Sequence, residues 1–212
     1  MKKNNLPDEI AIFPLSNAIF FPRSILPLNI FEDRYLKLVH DCMQKDKMFG
    51  MVQPKNKIGV APEVHNIGCL GKIISFNETS DKRFVITLSG IIRFRIKKEI
   101  KKENLYRNFK VDYTEFFSDL EEINSQLLKK NKNKFLDKIK IYFQKINYPI
   151  NYNELEKLNS DQLINTICMI SPFSVQEKQK LIEVVKIDDK IKILDEIINF
   201  NLLDSEENKM IQ

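Results

Sequence analysis

Tryptophan is absent from this 212-residue chain, and glycine and proline are scarce, at 5 and 8 residues. That scarcity excludes long linkers and low-complexity tracts. Histidine occurs only as His40 and His65, and cysteine only as Cys42, Cys69 and Cys168. A metal site needs several ligands converging on one point, and His40 and Cys42, an i, i+2 pair on a predicted helix, diverge. No metal and no cofactor is therefore expected. Three scattered cysteines make neither a disulfide framework nor a zinc knuckle, and they are read as reduced, buried thiols of a cytoplasmic protein. No stretch approaches the roughly 18 apolar residues of a membrane-spanning helix. The apolar segment at 13–35, FPLSNAIFFPRSILPLNIFEDRY, is broken by Pro14, Ser16, Asn17, Pro22 and Arg23, unlike the continuous core of a secretory signal. Its prolines are too far apart for a polyproline ligand. Proline at a strand start, edge or bulge fits them better.

What is present is enough for a real core. The chain is 43% hydrophobic and 30% charged, with 15 phenylalanines, which suits one large domain or two small ones. The net charge of +5 is unevenly placed, at +7 over residues 1–118 and −2 over residues 119–212. Pattern divides the chain at the same place. Strand alternation appears in EIAIFPL at 9–15 and SILPLNI at 24–30, then helical spacing over 32–46 puts Tyr35, Leu36, Val39, Cys42 and Met43 on one face. Acidic Glu32 and Asp33 at its start suit the helix dipole. Strands are expected at 48–52, 68–76, 83–90 and 91–100, with Gly90 folding the chain back between the last two. NFKVDYTEFF closes the series near Phe117.

From Ser118 the period becomes helical, with Leu120, Ile123, Leu127, Phe135, Ile139 and Phe143 forming a stripe that ends before Pro149. Three shorter helices should follow. Asn153 with Glu156, and Ser174 with Glu177, have the spacing of capping boxes, and Asp188 can cap the last helix. Its stripe of Ile191, Leu194, Ile197 and Ile198 reads as bundle core. The fold class expected is α+β, with a β-rich domain at 1–118 and a helical bundle at 119–212.

Five motifs in order, IAIFPL at 10–15, FFPRSILPLNIFEDRY at 20–35, GMVQP at 50–54, IGCLGKI at 67–73 and RFVITLSGIIRFRI at 83–96, resemble the amino-terminal domain of Lon proteases. That domain also occurs as a stand-alone bacterial protein and within cereblon. The resemblance implies a PUA-like β pseudobarrel followed by an all-helical subdomain. It also implies a role in recognising unfolded or tagged protein substrates. The chain has no G-x-x-x-x-G-K-[ST] segment, and its Gly71-Lys72 pair falls in a predicted strand, so no phosphate cradle is expected. The family's serine-lysine protease dyad resides on a separate carboxy-terminal domain. A stand-alone form is thus expected to lack the parent's catalysis. Adjacent carboxylates at Glu121-Glu122 and Asp188-Asp189 read as solvated or capping, not catalytic.

The partner expected is an unfolded polypeptide or another protein, a complete Lon protease included. The site residues proposed are Phe31, Glu32, Asp33, Arg34 and Tyr35 at the helix start, then Phe20, Phe21 and Arg23. At least one of the phenylalanine pair is expected in the core, because neighbours on a strand face opposite ways. Replacing Arg34 and Tyr35 with alanine is expected to weaken substrate capture with little loss of stability. RNA is the alternative partner, because RFRIKKEIKK at 93–102 gathers six positive charges. The same charges also suit an edge strand guarded against aggregation, and a solvated face is the reading preferred. An inert scaffold that joins the bundle to a partner is the third reading.

Overall fold

A computed structural model of the protein describes residues 3–16, 18–55, 62–121 and 126–210. Six strands are β1 (Glu9–Pro14), β2 (Ile25–Ile30), β3 (Met48–Val52), β4 (Ile67–Glu78), β5 (Phe84–Ile100) and β6 (Arg107–Asp112). They form one mixed sheet in the order β2-β5-β4-β3-β1-β6, and a further β5–β6 pairing closes five of them into a barrel. The pairs are antiparallel except β1 with β3. Closure gives β6 a partner on both sides and so removes one edge that would otherwise invite aggregation. β3 (MFGMV) is buried at every position, as a strand between two others with both faces covered must be. Helix α1 (Asp33–Met43) lays Tyr35, Leu38, Val39 and Cys42 against the barrel.

The long strand β5 corrects the expectation of two strands folded back at Gly90. Its first half pairs with β2 and its second half with β6, while β4 runs along the other side. Gly90 lies inside this one strand because the chain passes too closely there for a side chain. A Cβ on it would stand 2.1 Å from the Phe21 carbonyl oxygen. β5 pairs with β4 only as far as Arg95 and beyond it with β6 alone, and Lys97, Lys98, Lys101 and Lys102 are exposed there.

The strand expected through Phe117 stops at Asp112. Its carboxylate accepts both the amide and the hydroxyl of Thr114, at 2.9 and 2.7 Å, and a 3-10 segment, Thr114–Leu120, follows. The local side-chain bonds divert the backbone from the ladder. Next come α2 (Gln126–Lys145), α3 (Tyr152–Lys157), α4 (Ser160–Ile170), α5 (Val175–Glu183) and α6 (Ile187–Met210). Four helices thus follow α2, not three, and α6 is the longest. Asn151, not Asn153, caps α3, and Asn159 caps α4. The Ser174–Glu177 capping box forms as read, whereas Asp188 lies within the first turn of α6.

Phe135, Ile139 and Phe143 of the predicted stripe are buried, as are Leu194, Ile197 and Ile198 of α6. Glu122, Ile123 and the side chain of Leu127 lie outside the described residues. One continuous hydrophobic cluster runs through the barrel and the helices. Between them lies a buried polar seam centred on Arg93, which is 2% exposed. Its guanidinium donates to both carboxylate oxygens of Asp119, at 2.9 and 2.7 Å, to the carbonyl of Ile182 in the last turn of α5, and to those of Val184 and Val185 just beyond it. A single arginine thus links β5, the 3-10 segment and the α5–α6 connection. Cys42, Cys69 and Cys168 are buried and free, and burial pushes the Cys42 and Cys168 thiols up to about 12. Among the described residues, no helix is long and apolar enough to cross a membrane.

Candidate functional site

The residues picked out from the sequence divide into two environments. Phe20, Phe21 and Tyr35 are core residues at 2%, 0% and 6% exposure. Tyr35 stacks on Phe13 with ring centroids 4.1 Å apart. Burial raises its hydroxyl pKa, against the opposing charge of Arg34. These three side chains present no surface to a partner, and alanine at Tyr35 would open the core, contrary to the expectation of a harmless exchange. Both phenylalanines are buried because the 18–24 segment does not extend as a strand. It turns inward, and Arg23 adopts a left-handed φ of 59°. The Arg23 amide reaches the Gly90 carbonyl at 2.8 Å, and its side chain donates to the carbonyls of Asp119 and Glu121. Arg23 thereby serves the seam.

Phe31 is the opposite case, at 64% exposure. The Arg83 guanidinium lies 5.8 Å from its ring centroid. Beside it, Glu32 precedes the first turn of α1, Asp33 begins that turn, and both are exposed. Arg34 pairs with Glu32 at 2.8 Å and lies over the Tyr35 ring. Phe31 is thus an apolar side chain in water with both signs of charge around it.

The surface that continues from Phe31 was not anticipated. β2, the first half of β5 and the outer half of β4 extend beyond the closed barrel as a three-stranded sheet. Their register places Leu26, Leu28, Ile86, Leu88 and Ile73 on the face turned toward the core. The other face carries Ile25, Pro27 and Val85 among Asn29, Thr87, Ser89 and Lys72. On it Ile25 is 49% exposed and Val85 42% exposed. Alternation carried one step past Ile30 brings Phe31 to the same side. A register shift in β4 between Ile73 and Ser75 leaves Ile74 exposed nearby. The result is an apolar strip with a polar frame, the composition expected of a contact surface that stays soluble when empty.

β2 also borders open space along one edge. The Gly90 amide donates to the Ser24 carbonyl at 3.0 Å, and two-residue alternation from there directs the backbone of Leu26, Leu28 and Ile30 toward β5. Pro27 therefore turns its nitrogen, which has no hydrogen to donate, to the open side. Proline belongs at such an edge because it withholds a donor from unwanted pairing.

The basic stretch offers less than its charge count suggests. Arg93 is committed to Asp119, Arg95 pairs with Glu115 at 2.6 Å, and Lys97 pairs with Asp112 at 3.0 Å. Lys102 pairs with Glu9. Thr114 and then Lys97 hold the Asp112 carboxyl well below the usual carboxylate range. A phosphate-binding stripe needs cations whose charge is not already answered, and here four of the six are. Sequence alone could not reveal this, since each carboxylate comes from another element.

Comparison with known proteins bears on the family and the fold. The family described as the ATP-dependent protease La (LON) substrate-binding domain matches residues 9–199. Lon protease 2 of Myxococcus xanthus is 23% identical over 204 residues, covering 94% of this chain and 24% of that protein. The chain thus spans about a quarter of that relative's length. Among solved structures, the N-terminal domain of a Mycobacterium avium complex Lon protease superposes with a TM-score of 0.69 at 12% identity, covering 90% of this chain and 98% of that one. A Lon N-terminal domain protein from Xanthomonas campestris gives 0.61 at 21% identity, covering 88% and 96%. At these identities the likeness is one of fold. The match across residues 9–199 is broader, and by it the chain belongs to the Lon substrate-binding domain family.

Proposed function

We propose that this protein is a non-catalytic polypeptide-recognition module that holds extended or unfolded segments of protein clients and acts as an adaptor in protein quality control. The observation that carries this reading is the outward sheet face with Ile25, Val85 and Phe31 exposed in a polar frame. Unfolded chains differ from folded ones chiefly in their accessible apolar side chains, and a strip of this kind gains by covering them. Family membership supports the same reading. In this proposal residues 1–118 provide the recognition surface, and residues 119–212 form the unit that buttresses it through Arg93. The protein works in the cytoplasm, where buried thiols remain reduced. A complete Lon protease is a second partner, docking against the same face or the helical unit. RNA is disfavoured by the ion pairing of the basic stretch.

The test uses reduced, carboxymethylated lactalbumin as a permanently unfolded client, labelled for fluorescence anisotropy. Phe31→Ser combined with Val85→Ser removes apolar contact worth about 1.5–3 kcal/mol per side chain, so the dissociation constant should rise by about tenfold or more. The melting temperature should hardly move, because both side chains are exposed. A folded double variant that binds the client as tightly as the parent protein would refute the reading.

A further inference from the structure

The seam between barrel and helices contains a cleft of about 400 Å³ with an unusual floor. Lys190 of α6 is 2% exposed, yet its ammonium has one hydrogen-bond acceptor, Asn165 Oδ1 at 3.1 Å, for its three donor hydrogens. Its other contact is the face of Phe21, with the ring centroid 5.6 Å away. Among the described residues it forms no ion pair. A buried charge ordinarily finds an opposite charge, because desolvation is otherwise uncompensated. Asp119, the carboxylate on the same floor, is held bidentately by Arg93, so its charge is already answered.

The surroundings narrow what could complete the site. Of the charged side chains that line the cleft, Arg93, Asp119 and Lys190 are buried, Asp188 is half-buried, and Glu121 and Lys186 are exposed. With Arg93 already answered by Asp119, one added negative charge balances Lys190 and a multiply charged anion exceeds it. From this geometry we infer that the cleft is a carboxylate-binding site in which one carboxylate oxygen takes the free hydrogens of Lys190. The carboxylate comes either from a small organic acid or from the end of a polypeptide. This inference does not rest on client capture by the sheet face, which lies on β2 and the first half of β5, and either can fail alone.

The experiment follows the Lys190 side-chain resonance of the whole 212-residue chain by NMR, with isotope-labelled lysine and constant ionic strength. Acetate, inorganic phosphate, and an N-acetylated tripeptide with a free or amidated carboxy terminus are titrated in turn. A saturable shift with acetate is expected, with phosphate binding more weakly. The free-acid peptide shifting the resonance while its amide does not assigns the site to chain ends, and acetate alone assigns it to small acids. Lys190→Met should weaken acetate binding by about tenfold or more, as loss of a charge-assisted hydrogen bond does. Glu121→Gln, a change at an exposed lining residue, should tighten it. The Lys190 resonance and Glu121→Gln decide the matter even if Lys190→Met does not fold. The absence of a saturable shift, tighter binding of phosphate, or undiminished binding by folded Lys190→Met overturns the inference.

Discussion

Replacing Arg93 with methionine tests how the two halves are held together. Methionine retains most of the aliphatic volume and removes the guanidinium, which makes two bonds to Asp119 and reaches the carbonyls of Ile182, Val184 and Val185. The Asp119 carboxylate is then left at 6% exposure with the Arg93-position backbone amide as its remaining seam donor. Breaking a buried pair from one side costs about 3–5 kcal/mol, because the surviving charge is stranded. Against a total stability of roughly 5–15 kcal/mol, that is a large fraction. Asp119→Asn added to the same chain removes the stranded charge while retaining an acceptor for the backbone amide. The double variant should therefore be more stable than Arg93→Met alone. Urea unfolding followed by circular dichroism measures the parent, Arg93→Met, Asp119→Asn and the double variant. A loss below about 1 kcal/mol for Arg93→Met, or a double variant as weak as the two single losses added together, would refute the argument that this pair is a buried, coupled link.

Three further outcomes follow from the same contacts. Tyr35→Ala should cost about 3–5 kcal/mol, as expected when a buried aromatic is truncated, while Phe31→Ala should stay within about 0.5 kcal/mol; thermal unfolding of the pair separates core from surface. Lys190 is pushed down to about 8 by burial first and by Arg93 second, so between pH 8 and 9 the folded chain releases a proton that the unfolded chain, with an ordinary value of 10.5, still holds. Lys190 alone should contribute a rise of about 1 kcal/mol over that interval, read as the difference between the parent protein and Lys190→Met, because the buried thiols, whose values are raised from an ordinary 9.0, act in the opposite direction over the same interval in both proteins. Ser174→Ala should lose about 1 kcal/mol, because the hydroxyl accepts the Glu177 amide and Glu177 returns a carboxylate to the Ser174 amide.

Elements whose pattern is local were legible in the sequence. β3 is apolar throughout and has the predicted limits, and the α1 face with Tyr35, Val39 and Cys42 packs as its spacing required. The capping box at Ser174 is equally local. The failures arise where distant residues decide. Gly90 reads as a turn, but its role depends on the approach of the Phe21 carbonyl. The run from Asn108 to Phe117 has strand composition throughout, yet the Asp112 side chain ends the strand. Arg93 looks like one of six surface cations until Asp119 and the α5–α6 carbonyls are placed around it. Lys190 falls in the helical row of Leu194 and Ile197, a position that ordinarily signals core, although a charged side chain ordinarily seeks solvent. For the proposed recognition surface, Phe31 and its charged neighbours were singled out by their position before α1, but Ile25 and Val85 were not, because alternation distinguishes two faces without saying which one meets water.

The central claim is that client polypeptide lies on the outward face of β2 and β5. Hydrogen–deuterium exchange of the protein with and without reduced, carboxymethylated lactalbumin tests it most directly. The account predicts added protection concentrated in residues 25–31 and 83–87, with the helices beyond residue 126 unchanged. Protection confined to the helical half, with those two segments unaffected at saturating client, would contradict it.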